Sequence, residues 1–280
     1  MHHWTTFDLV FFDCDSTLSA IEGVDELARL KGKEWRVGLL TRKAMDGDLD
    51  LTEVYGKRLQ AINPTRGHLE DIEQRYWESK VSDAQAVIEA LQWLQKHVFI
   101  ISGGLADAVN GFGRRLGVAP DHIRAVSLQY NELSGDWWRY YDRAAQRGQR
   151  YLDHDNGPLT ASAGKSQIIR ELAGRLFGRH MLVGDGVSDL ATRANGIDLF
   201  VGFGGAIVRE TVEREAHVFI YPATLSPALP LAVGLPGLQA FKDSPYESIF
   251  QKGLELCRTS AVGFREAGTR KAFLQEFEQD

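Results

Sequence analysis

Two carboxylates two residues apart, Asp13 and Asp15, stand in the segment Phe12-Asp13-Cys14-Asp15-Ser16-Thr17-Leu18, directly after the apolar run Leu9 to Phe12. A short run of this kind reads as a buried strand. At a strand's carboxyl end, alternate residues or a tight turn can aim two side chains at one ligand. Carboxylates so close repel each other unless a cation or a proton is shared between them. The pair therefore points either to a divalent metal or to a split between a nucleophile and an acid, and its plain alternative is an Asp-rich turn.

Three further segments carry related chemistry. Ile101-Ser102-Gly103-Gly104 closes a second apolar run, and a helical pattern follows from Leu105. A hydroxyl with the open backbone N–H groups of Gly103 and Gly104 at a helix start makes a phosphate cradle. Lys165, after Gly164, opens another helical pattern, where an ammonium can hold phosphoryl oxygens. Val183-Gly184-Asp185-Gly186-Val187-Ser188-Asp189 closes a third run, with Asp185 placed to complete an oxygen site for a hard cation and Asp189 behind it. Magnesium suits such a site, because it takes one or two carboxylates plus a phosphate oxygen and keeps several waters. A Walker A loop is excluded: Leu159 occupies the position of its first glycine relative to Gly164-Lys165. A glycine-rich turn and a surface lysine are the bland readings of these segments taken singly. Their common position after strands or at helix starts gives them weight together.

The elements that must hold these residues are legible as alternation. Apolar runs at Leu9 to Phe12, Val98 to Ile101, Met181 to Val183, Leu199 to Val201 and Val218 to Ile220 read as buried parallel strands. Helical patterns lie between them, such as Val87, Ile88, Leu91 and Leu94, with a capping box expected from Ser82 and Gln85. The fold class is therefore α/β, a doubly wound, Rossmann-like parallel sheet with helices on both faces. Residues 19–80 break the alternation with helical patterning (Ile21, Val24, Leu27 and Leu30 on one stripe) and read as a small helical cap inserted after the first strand. Such a cap would lie over the crevice at the carboxyl ends of the strands. Residues 1–18 and 81–221 are expected to form the core. A β-hairpin is expected in the first half of the stretch from Ala125 to Asn156, before the cluster Trp137, Trp138, Tyr140 and Tyr141. Pro222, Pro227, Pro230 and Pro236 open an extension, 222–280, with two helices expected near Ser248 to Cys257 and Ala261 to Phe277. Its role is unassigned, and it is expected against the core.

The 280 residues, 44% apolar, are enough to fill such cores. A net charge of −6 gives no general pull toward nucleic acid or an anionic membrane, so phosphate binding has to be local. Two cysteines cannot build a metal cluster, and Met1 to Phe7 lacks the pattern of a signal peptide. A reduced, cytoplasmic protein is the expectation. No apolar run approaches the roughly 20 residues that span a bilayer.

In this order the four segments resemble the haloacid dehalogenase superfamily, whose phosphatases carry Asp-x-Asp-x-Thr, a Ser or Thr after the next core strand, a Lys, and Gly-Asp-x-x-x-Asp. The resemblance implies that Asp13 attacks phosphorus and that Asp15 protonates the leaving alkoxide, then activates water. It implies a magnesium ion held by the Asp13 carboxylate, the Asp15 main-chain carbonyl and Asp185, with Thr17 and Asp189 in support. Lys165 and Ser102 then neutralise and position the transferring group. The segment Ile21-Glu22-Gly23-Val24-Asp25-Glu26-Leu27-Ala28 is similar to the phosphoserine phosphatase family, as are Met45-Asp46-Gly47-Asp48-Leu49 and Phe200-Val201-Gly202-Phe203-Gly204-Gly205. That likeness implies Glu22 for a substrate ammonium and Arg58 for its carboxylate, with Ser188 where the family often has Asn or Thr. The bland readings are an exposed helix charge for Glu22 and a solvated partner of Glu53 for Arg58. The implied activity is magnesium-dependent hydrolysis of O-phospho-L-serine. The alternatives are a same-fold phosphatase or phosphotransferase for another small phosphometabolite, and a non-catalytic phosphometabolite-binding protein. Neither the length of the Trp137 to Gly157 region nor the extension after Pro222 matches the family pattern.

Overall fold

A computed structural model describes residues 4–45, 51–133, 137–161, 163–174 and 176–278. Strand β1 (Leu9–Phe12) is followed by helices α1 (Gly23–Leu30), α2 (Glu34–Met45), α3 (Leu51–Ile62) and α4 (Arg66–Glu78) before α5 (Ala84–Trp93) leads into β2 (His97–Leu105). Helix α6 (Ala106–Arg115) and β3 (Ile123–Val126) come next, then β4 (Leu128–Tyr130), α7 (Arg143–Arg147) and β5 (Tyr151–His154). Helix α8 (Gly164–Ala173), β6 (His180–Gly184), α9 (Val187–Leu190), β7 (Leu199–Phe203), α10 (Glu210–Glu215) and β8 (Val218–Ile220) complete the alternating part. The proline-punctuated segment forms α11 (Ala228–Phe241), α12 (Glu247–Arg258), β9 (Val262–Phe264) and α13 (Ala267–Glu276).

Seven strands form one sheet in the order β3-β2-β1-β6-β7-β8-β9, parallel throughout except for β9, which runs antiparallel to β8. The chain starts in the middle, winds outward through β2 and β3, then crosses to β6 on the other side of β1. Alternate residues supply the two faces: Leu9, Phe11, Phe99, Ile101 and Leu182 pack on one side, Val10, Phe12, Val98, Ile100 and Val183 on the other. Burial of both faces explains the unbroken apolar runs.

Three local expectations are corrected. The start of α5 is not a Ser82–Gln85 capping box. Asp83 caps it with φ 67° and no side-chain cap bond, while Gln85 takes a bond from Lys80 Nζ and gives one to Glu89. The Ser82 backbone is instead engaged by Leu225. A capping box does form on α4, where Thr65 and His68 exchange bonds, with a histidine in the place usually held by Glu or Gln. β4 does not turn back within 131–135; it pairs antiparallel with β5, twenty residues on, and 134–136 lie outside the described residues. The return strand is set by α4's approach, since Tyr151 N donates to Pro64 O and Arg66 N to Gln149 O. On the helical stripe, Ile21 precedes α1 and Leu30 is exposed.

The extension is pinned through Asp83. Its carboxylate accepts from Thr224 Oγ1 at 2.5 Å and pairs with Lys252 at 2.6 Å. Burial opposes the charge, but the Lys252 and Thr224 bonds prevail and hold this carboxyl below its usual range. Asp83→Ala is expected to cost about 2 kcal/mol in urea unfolding at pH 7, and Asp83→Asn about 1 kcal/mol, since Asn tolerates the left-handed backbone and still accepts from Thr224. A group with a depressed folded-state pKa contributes stability that is present above the unfolded value of 3.8 and lost as pH falls through the folded one. The advantage of wild type over Asp83→Asn should therefore vanish as pH is lowered below 3.8 and persist at pH 7.

Candidate active site

Strand register brings the motifs together. Phe12 pairs with Ile100 on β2 and with Val183 on β6, so Asp13, Ser102 and Asp185 emerge side by side at one edge of the sheet. Immediately after β1 the chain folds tightly: the Cys14 carbonyl accepts from Thr17, Leu18 and Ser19, and Ser16 sits at φ 53°, a left-handed conformation unusual for serine. This turn brings Asp15 back over the edge, and Cys14 turns its side chain into the core. β2 runs on through Leu105, so Gly103 and Gly104 belong to its last residues and α6 starts at Ala106. Gly104 N donates to Ser102 Oγ at 2.9 Å. Gly164 is required at the start of α8, because a Cβ there would overlap the Pro158 carbonyl; this close approach delivers Lys165 to the edge.

Lys165, 5% exposed, reaches Asp13 Oδ1 at 2.8 Å and Asp189 Oδ1 at 2.7 Å. Burial acts to strip its proton, but the two carboxylates outweigh burial and hold the ammonium charged. Burial, reinforced by the Asp13 charge, pushes the Asp15 carboxyl up to about 6 against bonds from Tyr76 and Gly23. Asp185 is likewise raised to about 6 by burial and Asp13, with Arg209 pulling down. Thr17 Oγ1 lies 3.4 Å from Asp185 Oδ1.

These groups open into a cavity of about 360 Å³ lined by Asp13, Asp15, Lys165 and Asp185, by Gly103, Gly104 and Ser188, and by Glu22 and Arg58 from α1's start and α3. Of the residues expected at the site, Ser102 is buried beneath this lining, bonded to Asp15 Oδ2 at 3.3 Å. Asp189 and Thr17 are also fully buried. Arg58 pairs with Asp25 at 2.7 Å, and Glu53 pairs with Lys57 instead. The buried Arg58 Nε has no hydrogen-bond partner among the described residues. Most of the segment Met45-Asp46-Gly47-Asp48-Leu49, at 46–49, lies outside them. A larger cavity, about 450 Å³, lies under Trp137 and Tyr140 and holds none of the four motifs.

Carboxylate oxygens of Asp13, Asp185 and Asp189 come within 4.8 Å of one another, a hard-oxygen donor set able to hold a metal ion. Asp189 is already engaged by Lys165 and by Gly186 N at 3.1 Å.

No protein-family model matches the sequence. Phosphoserine phosphatase of Mus musculus is 29% identical over 214 residues, covering 76% of this chain and 88% of that one. The chloroplastic phosphoserine phosphatase of Arabidopsis thaliana is 28% identical over 220 residues, 78% of this chain and 70% of that one. Among solved structures, a phospho-aspartyl intermediate analogue of phosphoserine phosphatase superposes with a TM-score of 0.62 at 25% identity, over 79% of this chain and 96% of that one. The chain is a homologue of the phosphoserine phosphatases, with the haloacid dehalogenase-type fold.

Two site residues carried no signal in the sequence. Arg209, just before α10, donates to Asp185 Oδ2 at 2.8 Å and to Glu22 Oε1 at 3.1 Å, joining two motifs that are far apart in the chain. Burial and the Asp15 charge push Glu22 up to about 7, against bonds from Ser16 and Arg209. Tyr76, on α4, donates to Asp15 Oδ1 at 2.6 Å. The Phe200 to Gly205 segment, matched as a family likeness, directs the chain from β7 to Arg209.

Lys165→Met leaves Asp13 and Asp189 buried without their shared cation and should cost about 3–5 kcal/mol in urea unfolding at neutral pH. The sign with pH follows from Asp189, whose carboxyl burial and the Asp13 charge raise above its usual range: buried carboxylate charge left without its cation is the source of the deficit, so the deficit shrinks as pH falls through that raised value and a proton takes the place of the ammonium. A deficit that grows on acidification would contradict this account.

Proposed function

We propose that the protein hydrolyses O-phospho-L-serine to serine and phosphate through an aspartyl-phosphate on Asp13. The observation that carries this reading is the meeting of Asp13, Asp15, Lys165 and Asp185 in one small cavity whose rim bears Glu22 and Arg58. Residues 1–18 and 81–221 form the catalytic core in this reading, 19–80 the cap, and 222–280 an extension on the core. Two free, buried cysteines support a reducing compartment, which we take to be the cytoplasm.

The phosphoryl group is received at Gly103 and Gly104, by Ser102, whose bond from Gly104 N it would replace, and by Lys165. Asp13 attacks phosphorus in line; the bond to the serine oxygen breaks, and that oxygen takes the proton carried by Asp15. Asp15, now a carboxylate, takes a proton from a water that attacks the aspartyl-phosphate. Phosphate leaves, the Asp13 carboxylate is restored and Asp15 is protonated for the next turnover. A carboxyl raised to about 6 is suited to both tasks near neutral pH.

Four carboxylates and three cationic side chains line the cavity. A phosphate dianion added to that set calls for a further cation. Magnesium fits this donor set: the Asp13 carboxylate, the Asp15 main-chain carbonyl and Asp185 would hold it, while Asp189 holds Lys165. When bound, it neutralises charge on the phosphoryl oxygens. Glu22 and Ser188 face the amino-acid part of the ligand together with Arg58, all three lining the cavity.

Phosphate release is expected to be abolished by EDTA and restored by magnesium, and to favour L-phosphoserine over phosphohomoserine, phosphoglycerate, sugar phosphates and p-nitrophenyl phosphate. Arg58→Ala should raise KM for phosphoserine by roughly 10- to 100-fold, the loss of a charged hydrogen bond, and change p-nitrophenyl phosphate turnover little. Full activity in Asp13→Asn would sink the mechanism; equal losses on both substrates in Arg58→Ala would sink the role of Arg58.

A further inference from the structure

Tyr76 is completely buried on α4, outside every motif, yet its hydroxyl lies 2.6 Å from Asp15 Oδ1. Its ring stacks on Phe112 of α6, centroids 5.5 Å apart and planes 29° apart, which fixes the hydroxyl's direction. An ordinary phenol keeps its proton near neutral pH, so the hydroxyl is the donor in this bond. A second donor, Gly23 N, reaches the same oxygen at 2.7 Å. Gly23 cannot be any other residue without disturbing this pair, since a Cβ there would overlap the Tyr76 hydroxyl. The other oxygen, Oδ2, lies on the side of Ser102 and Gly104, the groups assigned to the phosphoryl oxygens.

We infer that Tyr76 is a positioning residue for proton transfer: together with Gly23 it fills Asp15 Oδ1, so that the transferable proton resides on Oδ2, facing the phosphoryl group. This inference rests on the mechanism proposed above and adds to it a residue from the helical insertion. When the ester bond breaks, its electron pair goes to the leaving oxygen, which takes the Oδ2 proton. The carboxylate left behind is held in the same rotamer by the two donors on Oδ1. In the second half-reaction the proton lost by water arrives on that same Oδ2. Without the Tyr76 hydroxyl, Oδ1 keeps only Gly23 N while Oδ2 keeps its bond from Ser102, so the two oxygens compete for the proton and it is no longer directed to the leaving group.

The readout is dependence on the leaving group. Serine leaves as an alkoxide and needs the proton; acetate, from acetyl phosphate, leaves as a stable anion and does not. In rapid-quench single turnovers with magnesium, Tyr76→Phe is expected to slow phosphoryl transfer from phosphoserine to the enzyme by roughly 10- to 100-fold, within the range of general-acid effects. Transfer from acetyl phosphate should stay within twofold. Phe112→Leu, which disturbs the stacking but keeps the hydroxyl, controls for loosened packing and should lower both rates alike. Equal loss on both donors in Tyr76→Phe, or loss on neither, overturns the inference. If wild type prefers another alkyl phosphate, the phosphoserine reading falls, and the same comparison with that ester still decides Tyr76. A wild type inert toward every ester and toward acetyl phosphate overturns both readings.

Discussion

The structure is organised around mutual repulsion among carboxylates. Asp13, Asp185 and Asp189, buried, and Asp15, half-buried, crowd one edge of a parallel sheet, where each raises the free energy of charging its neighbours. Such a cluster is stable only if positive charge and donors are built in at fixed points. Lys165 takes Asp13 and Asp189, Arg209 takes Asp185 and Glu22, and Tyr76 with Gly23 N takes Asp15. These partners come from α8, from the approach to α10, from the first residue of α1 and from α4. The elements around the edge are therefore tied to one another through the site as well as through the apolar core.

That constraint explains the choice of architecture. β1 is the strand from which the chain winds outward in both directions, with a parallel neighbour on each side leading toward the same edge, and the register sets Asp13 between the ends of β2 and β6. A strand ladder is stiff, so the separations of Asp13, Ser102 and Asp185 are fixed by backbone pairing rather than by side-chain flexibility. At the site, left-handed backbone falls at Ser16 in the turn after β1, where the chain must reverse within a few residues to return Asp15 to the edge.

Much of this was legible in the sequence because it is written in local signals. Five apolar runs marked five strands, and the acidic or glycine-rich residues that follow three of them marked the edge. What was not legible depends on partners far apart in the chain. Arg209 has no spacing rule that connects it to Asp185 or Glu22, and Tyr76 looks like any aromatic on an amphipathic helix. β3, β5 and β9 are short or only half apolar, so their strand character comes from the neighbours they pair with. The Ser82–Gln85 pattern matched a capping box locally and lost to a tertiary demand, the docking of the 224–226 segment and Lys252 on the start of α5.

In the mechanism proposed, the two acids assigned to the ligand also differ in a way that separates chemistry from recognition. Asp15 is enclosed, with both oxygens engaged by groups that belong to rigid elements: Oδ1 by Tyr76 and Gly23, Oδ2 by Ser102. Proton transfer requires that degree of fixation, because a misplaced proton is of no use to a leaving group that departs along one line. Glu22 is partly exposed and bonded to Ser16 and to Arg209, a hydroxyl and a long cationic side chain that can both adjust. A carboxylate in that setting can exchange its partner for a ligand ammonium at little structural cost, which is what binding and release require. The same sequence thus places one carboxylate under tight control and leaves the other adaptable, and the difference arises from burial and from the stiffness of the donors rather than from the carboxyl groups themselves.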